Sequence, residues 1–279
     1  MTSVSDASST RRAAVLGSPV AHSRSPILHA AAYRELGLTG WTYERVECTA
    51  ERLPEFVDGL GPEWVGLSVT MPGKFAALAC ATERTQRAIA VGSANTLVRT
   101  DSGWRADCTD VDGVTGALGT VGVRDLSGAS VVVVGAGGTS RPALVALRDL
   151  GANAVTVVSR DEERAEGALV CARDAGLTAR WSAPDDDALP RAVADAAAVV
   201  STVPPEGGAA MIDALRGTRV LLDAIYHPWP TPLAAAVEES GGVVVGGLAM
   251  LLHQAFGQVE QFTGRPAPRA AMEQAMRES

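Results

Sequence analysis

Val131-Val-Val-Val-Gly-Ala-Gly-Gly-Thr-Ser140 decides the architecture of this chain. Four successive valines read as a strand buried on both faces, because β-branched side chains fit a pleated surface and no polar position interrupts them. Gly135 permits the tight turn that follows, and Gly137 lets a ligand approach the backbone. Ser140 stands where a third glycine or alanine is usual and is small enough for close packing of helix on strand. Pro142 then falls in the first helical turn, where its missing N–H costs little. The helix N-terminus offers unpaired N–H groups and a positive dipole end to a pyrophosphate. G-x-G-x-x-S alone is a weak signal. Between a buried strand and a helix it predicts a dinucleotide-binding loop, with contacts from Gly135, Ala136, Gly137, Gly138 and Thr139.

The next strand, Ala154–Ser159, bears on which dinucleotide. An NAD site usually ends this strand with an acid that grips the ribose hydroxyls. Here Ser159 and Arg160 stand at that end, and Arg164 follows one helical turn later. A serine hydroxyl and two guanidinium groups suit a 2′-phosphate, which predicts NADP. Asp161, Glu162 and Glu163 pull the other way: either they supply negative charge at a helix N-terminus, or Asp161 repels a phosphate or binds a ribose and favours NAD.

Short apolar runs alternate with amphipathic stretches on both sides of this segment. Strands are expected at Ala13–Gly17, Trp41–Cys48, Val65–Thr70 and Ser93–Arg99, with helices at Pro26–Leu36 and Ala50–Leu60. Beyond Val131–Val134, helices run to Leu150 and over Asp161–Ala175, with strands at Val199–Thr202, Val220–Asp223 and Val243–Val245. Asp185–Asp187 reads as a helix start, and Leu248–Phe262 and Ala267–Arg277 as helices that pack back on the first unit. This alternation predicts an α/β protein whose mostly parallel sheets are covered by helices. Two domains are expected: residues 1–110 with 247–279, and a Rossmann-like unit over 111–246.

The 279 residues are 47% hydrophobic and 20% charged, a globular composition with few aromatics. A net charge of −8, from 24 Lys and Arg against 32 Asp and Glu, argues against a nucleic acid or an anionic membrane as partner. Cys48, Cys80, Cys108 and Cys171 have no C-x-x-C spacing, and the four histidines no metal-ligand spacing, so no metal is expected. The polar stretch Met1–Arg12 is followed by an apolar run that Gly17 and Pro19 break, too short for a signal-peptide core. A cytoplasmic location is expected.

The first unit has polar loops of its own. Gly17-Ser-Pro-Val-Ala-His-Ser-Arg-Ser-Pro26 joins a strand to a helix, and Gly66-Leu-Ser-Val-Thr-Met-Pro-Gly-Lys74 delivers Thr70 and Lys74 at a strand end. Gly92-Ser-Ala-Asn-Thr96, Asp107-Cys-Thr-Asp-Val-Asp-Gly113, Asp223-Ala-Ile-Tyr226 and Gly246-Gly-Leu-Ala-Met-Leu-Leu-His-Gln254 come next, in that order. Singly, each has a bland reading: Ser23 and Ser25 as helix caps, Lys74 as a solvated charge. Together, and with the glycine loop, their order closely resembles the shikimate dehydrogenases over nearly the whole chain.

The resemblance implies a substrate domain formed from both chain ends, an NADP domain between them, and NADPH-dependent reversible reduction of 3-dehydroshikimate to shikimate, a step toward chorismate and the aromatic amino acids. It implies that Ser23 and Ser25 hold the substrate carboxylate and that Thr70, Asn95, Asp110, Tyr226 and Gln254 contact the substrate. Lys74 and Asp110 would be catalytic, and the backbones of Ala224 and Gly247 would touch the cofactor. Monomer and homodimer both stay open. Ser68 departs from the asparagine common there, Gly73 from a larger residue and Cys108 from an asparagine. Two other readings remain: an NAD-linked quinate/shikimate dehydrogenase, kept open by Asp161, and, from another class, a regulatory module that senses NADP without turnover.

Overall fold

The computed structural model describes residues 10–279, so part of the polar N-terminal stretch lies outside the described residues. The chain divides into two units. One runs to Thr109 and resumes over Gln254–Ser279, and the other is Asp110–His253. The second division falls inside a helix rather than at Gly247.

The first unit contains β1 (Arg11–Gly17), α1 (Ser25–Glu35), β2 (Trp41–Glu47), α2 (Leu53–Asp58), β3 (Trp64–Val69), α3 (Lys74–Cys80), β4 (Glu83–Arg84), α4 (Gln86–Val91), β5 (Thr96–Thr100) and β6 (Gly103–Asp107). Its sheet has the order β2-β1-β3-β5-β6-β4. β1 lies parallel to β2 and β3, whereas β5 runs antiparallel to β3 and to β6. A turn at residues 101–103 makes β5 and β6 a hairpin, with Gly103 at φ 137°, so one strand is reversed in a sheet expected to be mostly parallel. β5 starts at Thr96 rather than Ser93, and α2 is shorter than Ala50–Leu60. Leu16, Leu53, Trp64, Leu67, Leu97 and Trp104 form a core on one face of this sheet.

The second unit contains α5 (Asp110–Thr120), β7 (Ser130–Val134), α6 (Ser140–Asp149), β8 (Ala154–Val158), α7 (Glu162–Asp174), β9 (Thr178–Ser182), α8 (Leu189–Asp195), β10 (Val199–Ser201), α9 (Pro205–Ala209), α10 (Ile212–Leu215), β11 (Val220–Asp223), α11 (Pro232–Glu239) and β12 (Val243–Gly246). Val131 to Val134 are all at most 1% exposed, as a strand covered on both faces requires. Each contributes roughly 1.5–3 kcal/mol by leaving water. All pairs in this sheet are parallel, in the order β12-β11-β10-β7-β8-β9. Strand order therefore reverses between β7 and β10, and a doubly wound sheet opens a crevice at the carboxyl ends of its strands there. Asp185–Asp187 is a turn ahead of α8 rather than a helix start. Asp186 accepts from Ala188 N–H at 2.9 Å and from Ser182 Oγ at 3.3 Å.

The chain closes with α12 (Gly247–Thr263) and α13 (Arg269–Arg277). The Gly247 N–H donates to Ile225 O at 3.1 Å, which anchors the start of α12 in the second unit. Its far end belongs to the first unit, where a Cβ on Gly66 would run into the Phe262 ring. That is why the division falls inside this helix. α13 packs on α1, and Arg265 donates to Leu36 O at 3.0 Å at the C-terminal end of α1.

Candidate active site

Gly135 sits at φ 105°, and its N–H donates to Val158 O at 2.8 Å. A Cβ there would collide with Thr202 Oγ1, which donates to Val134 O at 2.9 Å. A Cβ on Gly137 would meet nothing within 4 Å, so the turn faces open space at this residue. Ser140 is fully buried and donates from Oγ to Gly137 O at 2.7 Å. It ties the turn to the helix instead of facing a ligand.

Gly135, Ala136 and Gly137 line a cavity of about 630 Å³ that Ser159, Arg160 and Arg164 line from the β8 side and Val203, Glu206 and Met211 from beyond β10. It lies at the switch point of the sheet, where a dinucleotide is expected. Gly138, Thr139, Ala224 and Gly247 are not among its lining residues. Ala224 and Gly247 instead press on each other, for a Cβ on Gly247 would run into Ala224 O. Beside them Asp223, 2% exposed, accepts from Thr231 Oγ1 at 2.7 Å and from Ile225 N–H at 3.2 Å. Burial pushes its carboxyl above the usual range, and these two hydrogen bonds offset only part of that.

Asp161 takes a role the sequence left open. Its carboxylate caps α7, with Oδ1 accepting the Arg164 N–H at 2.8 Å. It is absent from the cavity lining, whereas both arginines are present and exposed. Ser159 is a partial correction. It borders the cavity, but its hydroxyl donates to Asp161 O at 2.6 Å, so its proton serves the turn. An open glycine turn, two exposed guanidinium groups and an acid already engaged as a cap fit a dinucleotide carrying a 2′-phosphate.

In the first unit, the loops after β1 and β3 lie side by side. Thr70 N–H donates to Leu16 O at 2.8 Å and Ser18 N–H to Met71 O at 3.0 Å. Gly17 makes this approach possible, since a Cβ there would meet the Thr70 methyl. Ser23 and Ser25, 8% and 3% exposed, stand at the start of α1. Arg45 clamps the Ser23 carbonyl with two donors at 2.9 and 2.7 Å. Lys74 is the first residue of α3 and half-buried, and its carbonyl accepts the Ala94 N–H at 3.0 Å, next to Asn95. Gly73 is required just before it: a Cβ would come within 2.9 Å of Leu53 and Val69 side-chain carbons. Asn95 donates to Gln254 Oε1 at 3.1 Å and to Thr109 Oγ1 at 3.0 Å. Six of the expected substrate-site residues thus belong to this unit, while Asp110, 6% exposed, and Tyr226 belong to the other.

Sequence reasoning missed Tyr43, Gln258 and His29, and it saw Ser68 only as a departure. The Tyr43 hydroxyl donates to Ser68 Oγ at 2.6 Å, and Ser68 donates to Gln258 Oε1 at 2.7 Å. The Gln258 amide donates to Asn95 O at 3.2 Å and Thr96 Oγ1 at 3.1 Å. His29 stacks on Tyr43 with ring centroids 3.9 Å apart. Complete burial holds its imidazole neutral down to about pH 3, against a smaller opposing effect of Gln258. These groups lie far apart in sequence and, Ser68 apart, outside the quoted motif segments, so only the fold brings them together. Ser68→Ala removes the acceptor of the Tyr43 hydroxyl and the donor to the Gln258 carbonyl, leaving Tyr43 its hydrogen bond with Ser25. It is expected to cost ~1–3 kcal/mol in urea unfolding, against ~1 kcal/mol for Tyr43→Phe.

Among the described residues no group of three or more His, Cys, Asp or Glu is placed to hold a metal ion. Nor is any helix among them long and apolar enough to cross a membrane.

Comparison with known proteins gives these sites a context. The family model for the shikimate dehydrogenase substrate binding domain matches residues 15–97, and that for the shikimate 5′-dehydrogenase C-terminal domain matches residues 247–277. A shikimate dehydrogenase (NADP(+)) of Methylobacterium radiotolerans is 37% identical over 95% of this chain and 95% of its own. The crystal structure of Mycobacterium tuberculosis shikimate dehydrogenase is 58% identical, with a TM-score of 0.90, over 96% of this chain and all of that one. A Thermus thermophilus shikimate 5-dehydrogenase in complex with NADP(H) and shikimate is 30% identical, with a TM-score of 0.80, over 96% of this chain and 99% of that one. With the polar loops of one unit and the switch-point cavity of the other, this similarity along nearly the full length establishes that the chain belongs to the shikimate dehydrogenase family.

Proposed function

We propose that this chain reduces 3-dehydroshikimate reversibly to shikimate with NADPH, a step toward chorismate and the aromatic amino acids. The observation that carries the cofactor is the switch-point cavity with Arg160 and Arg164 on its wall and Asp161 engaged as a cap. The relatives named for NADP support the same choice. The sensing module and the NAD-linked quinate enzyme are not favoured: the chain keeps Lys74 and Asp110, and the acid that argued for NAD has another task.

Ser23 and Ser25, at the positive end of α1, hold the substrate carboxylate. Thr70, Asn95, Tyr226 and Gln254 contact the substrate. The backbones of the Gly135–Thr139 turn, Ala224 and Gly247 hold the cofactor, with Ser159, Arg160 and Arg164 at its adenosine end. When bound, the nicotinamide would supply the hydride. The Lys74 ammonium stabilises negative charge as it builds on the carbonyl oxygen and gives that oxygen its proton, while Asp110 orients the reacting hydroxyl. The four cysteines, none of them in a disulfide, suit a reducing cytoplasm.

A steady-state assay crossing shikimate and quinate with NADP and NAD tests this reading. Shikimate with NADP is expected to give the highest kcat/KM. Losing the charge-assisted contacts to the 2′-phosphate should lower kcat/KM with NAD by about ten- to a hundredfold. A preference for quinate with NAD would overturn the proposal.

A further inference from the structure

We propose that Trp181, outside the cavity, is a positioning residue that sets the preference of this chain for a 2′-phosphorylated dinucleotide. The inference rests on the assignment of Arg160 and Arg164 to that phosphate. Trp181 lies on β9, paired in register with Val157 of β8. Side chains alternate along a strand, so Trp181 shares a face with Val157 and with Ser159 two residues on.

The indole Nε1–H donates to Ser159 Oγ at 3.1 Å and to Ser159 O at 3.2 Å. Indole nitrogen is a donor only, so the hydrogen bonds run in one direction from it. Ser159 receives from the indole, and its own proton goes to Asp161 O at 2.6 Å. Asp161, held extended at φ −144° and ψ 152°, turns its carboxylate onto the Arg164 N–H. The relay from Trp181 through Ser159 to Asp161 fixes the β8–α7 turn in one state. In that state the two arginines border the cavity and the carboxylate is committed to the helix. Without the indole donor the Ser159 hydroxyl can rotate toward other acceptors. The turn loses its side-chain anchor on β9 and keeps only the Ser159 N–H to Ser182 O hydrogen bond at 3.3 Å, so the Asp161 charge is held away from the phosphate less firmly.

Trp181→Phe removes the N–H and keeps an aromatic ring of similar bulk. Calorimetric titration of the full chain with adenosine 2′,5′-bisphosphate and with 5′-AMP reads the effect without turnover. The Kd for the bisphosphate is expected to rise about tenfold, the scale of one hydrogen bond to a charged group, and that for 5′-AMP to stay within about twofold. In the coupled readout, the ratio of kcat/KM for NADPH over NADH falls by a similar factor while KM for shikimate is unchanged. Equal weakening of both nucleotides, or of neither, would overturn the role of Trp181. A wild-type chain that does not prefer the bisphosphate over 5′-AMP would instead overturn the phosphate assignment itself.

Ser159→Ala cuts the relay at its centre without altering the packing of β9, and it serves if Trp181→Phe does not fold. An unchanged preference in Ser159→Ala overturns the proposal. Where both variants fold, the double variant is expected to lose no more than Ser159→Ala alone, because both changes break one chain of hydrogen bonds. Additive losses would place Trp181 outside that chain.

Discussion

Lys74→Ala is expected to lower kcat for shikimate and NADP by roughly 10²–10⁴-fold, the usual contribution of a positioned general acid or base. KM for shikimate should change much less. The expectation comes from where the residue stands. Lys74 opens α3, and the backbone around it is fixed: its carbonyl is tied to Ala94 N–H, and Gly73 before it packs against Leu53 and Val69. The ammonium therefore starts from a defined point beside Thr70 and Asn95, both assigned to the substrate. A group that acts on charge developing at the carbonyl oxygen is needed most in the transition state, so its loss appears in kcat rather than in binding. A solvated surface lysine would do none of this, and ion pairs of that kind rarely contribute more than about 1 kcal/mol. Steady-state kinetics with a urea melt of the variant separates lost chemistry from lost fold. Near-normal kcat in a folded Lys74→Ala protein would remove Lys74 from the mechanism.

The second large effect is on stability. Asp107, 4% exposed, accepts from Arg87 at 2.5 and 3.0 Å, from Thr85 Oγ1 and Gln261 Nε2 at 2.7 Å each, and from Cys108 N–H at 2.8 Å. Asp107→Ala removes the one acceptor that all of these donors share. It is expected to lower the unfolding free energy by about 3–5 kcal/mol at neutral pH, the range for breaking one side of a buried ion pair. Burial pushes this carboxyl up, but the Arg87 hydrogen bonds and charge, Thr85 and the Cys108 N–H outweigh it and hold it below the usual range. A depressed carboxyl in the folded state stabilises most above its unfolded value of about 3.9, and that contribution is lost as pH falls through the folded value. The gap between wild type and variant in urea unfolding should therefore be full at neutral pH and close below about pH 4. Asp223, whose carboxyl burial raises, acts with the opposite sign: its protonation as pH falls favours the folded state. A gap that is the same at every pH would show that Asp107 stabilises by packing rather than by charge.

The difference between what was and was not legible in the sequence comes from how local each cause is. Val131–Val134 announces its strand because burial on both faces leaves no polar residue, and Gly135 announces its turn because only glycine takes that φ without strain. β4, β6 and β9 escaped for the converse reason. Glu83–Arg84 has no apolar residue, Gly103–Asp107 buries only Trp104 and Ala106 among its apolar side chains, and Thr178–Ser182 mixes Arg180 and Trp181 with small polar residues. These strands exist because a neighbour presents a free edge, which no local pattern encodes. The site divides in the same way. Ser23, Ser25, Lys74 and Asn95 sit in polar segments at loops and helix starts whose order along the chain resembles a family, so they could be named. Whether Asp161 would face a ribose or cap a helix depended on its backbone angles, and the support under Asn95 comes from Tyr43, Ser68 and Gln258 on separate elements.

The splitting of the first unit between the two ends of the chain also sets an order of events during synthesis. Asp110–His253 leaves the ribosome with every strand of its parallel sheet present, and domains generally fold as units while the chain emerges. The sheet begun by β1 is still waiting then. The helix face of α1 that α13 covers, the fully buried seat of Met272, and the place of the Phe262 ring against Gly66 stay open until α12 and α13 appear. The middle of this protein is therefore ready before its beginning. The nascent chain carries an unfinished apolar surface through the making of a whole domain, and its exposure ends only when α12 and α13 have emerged.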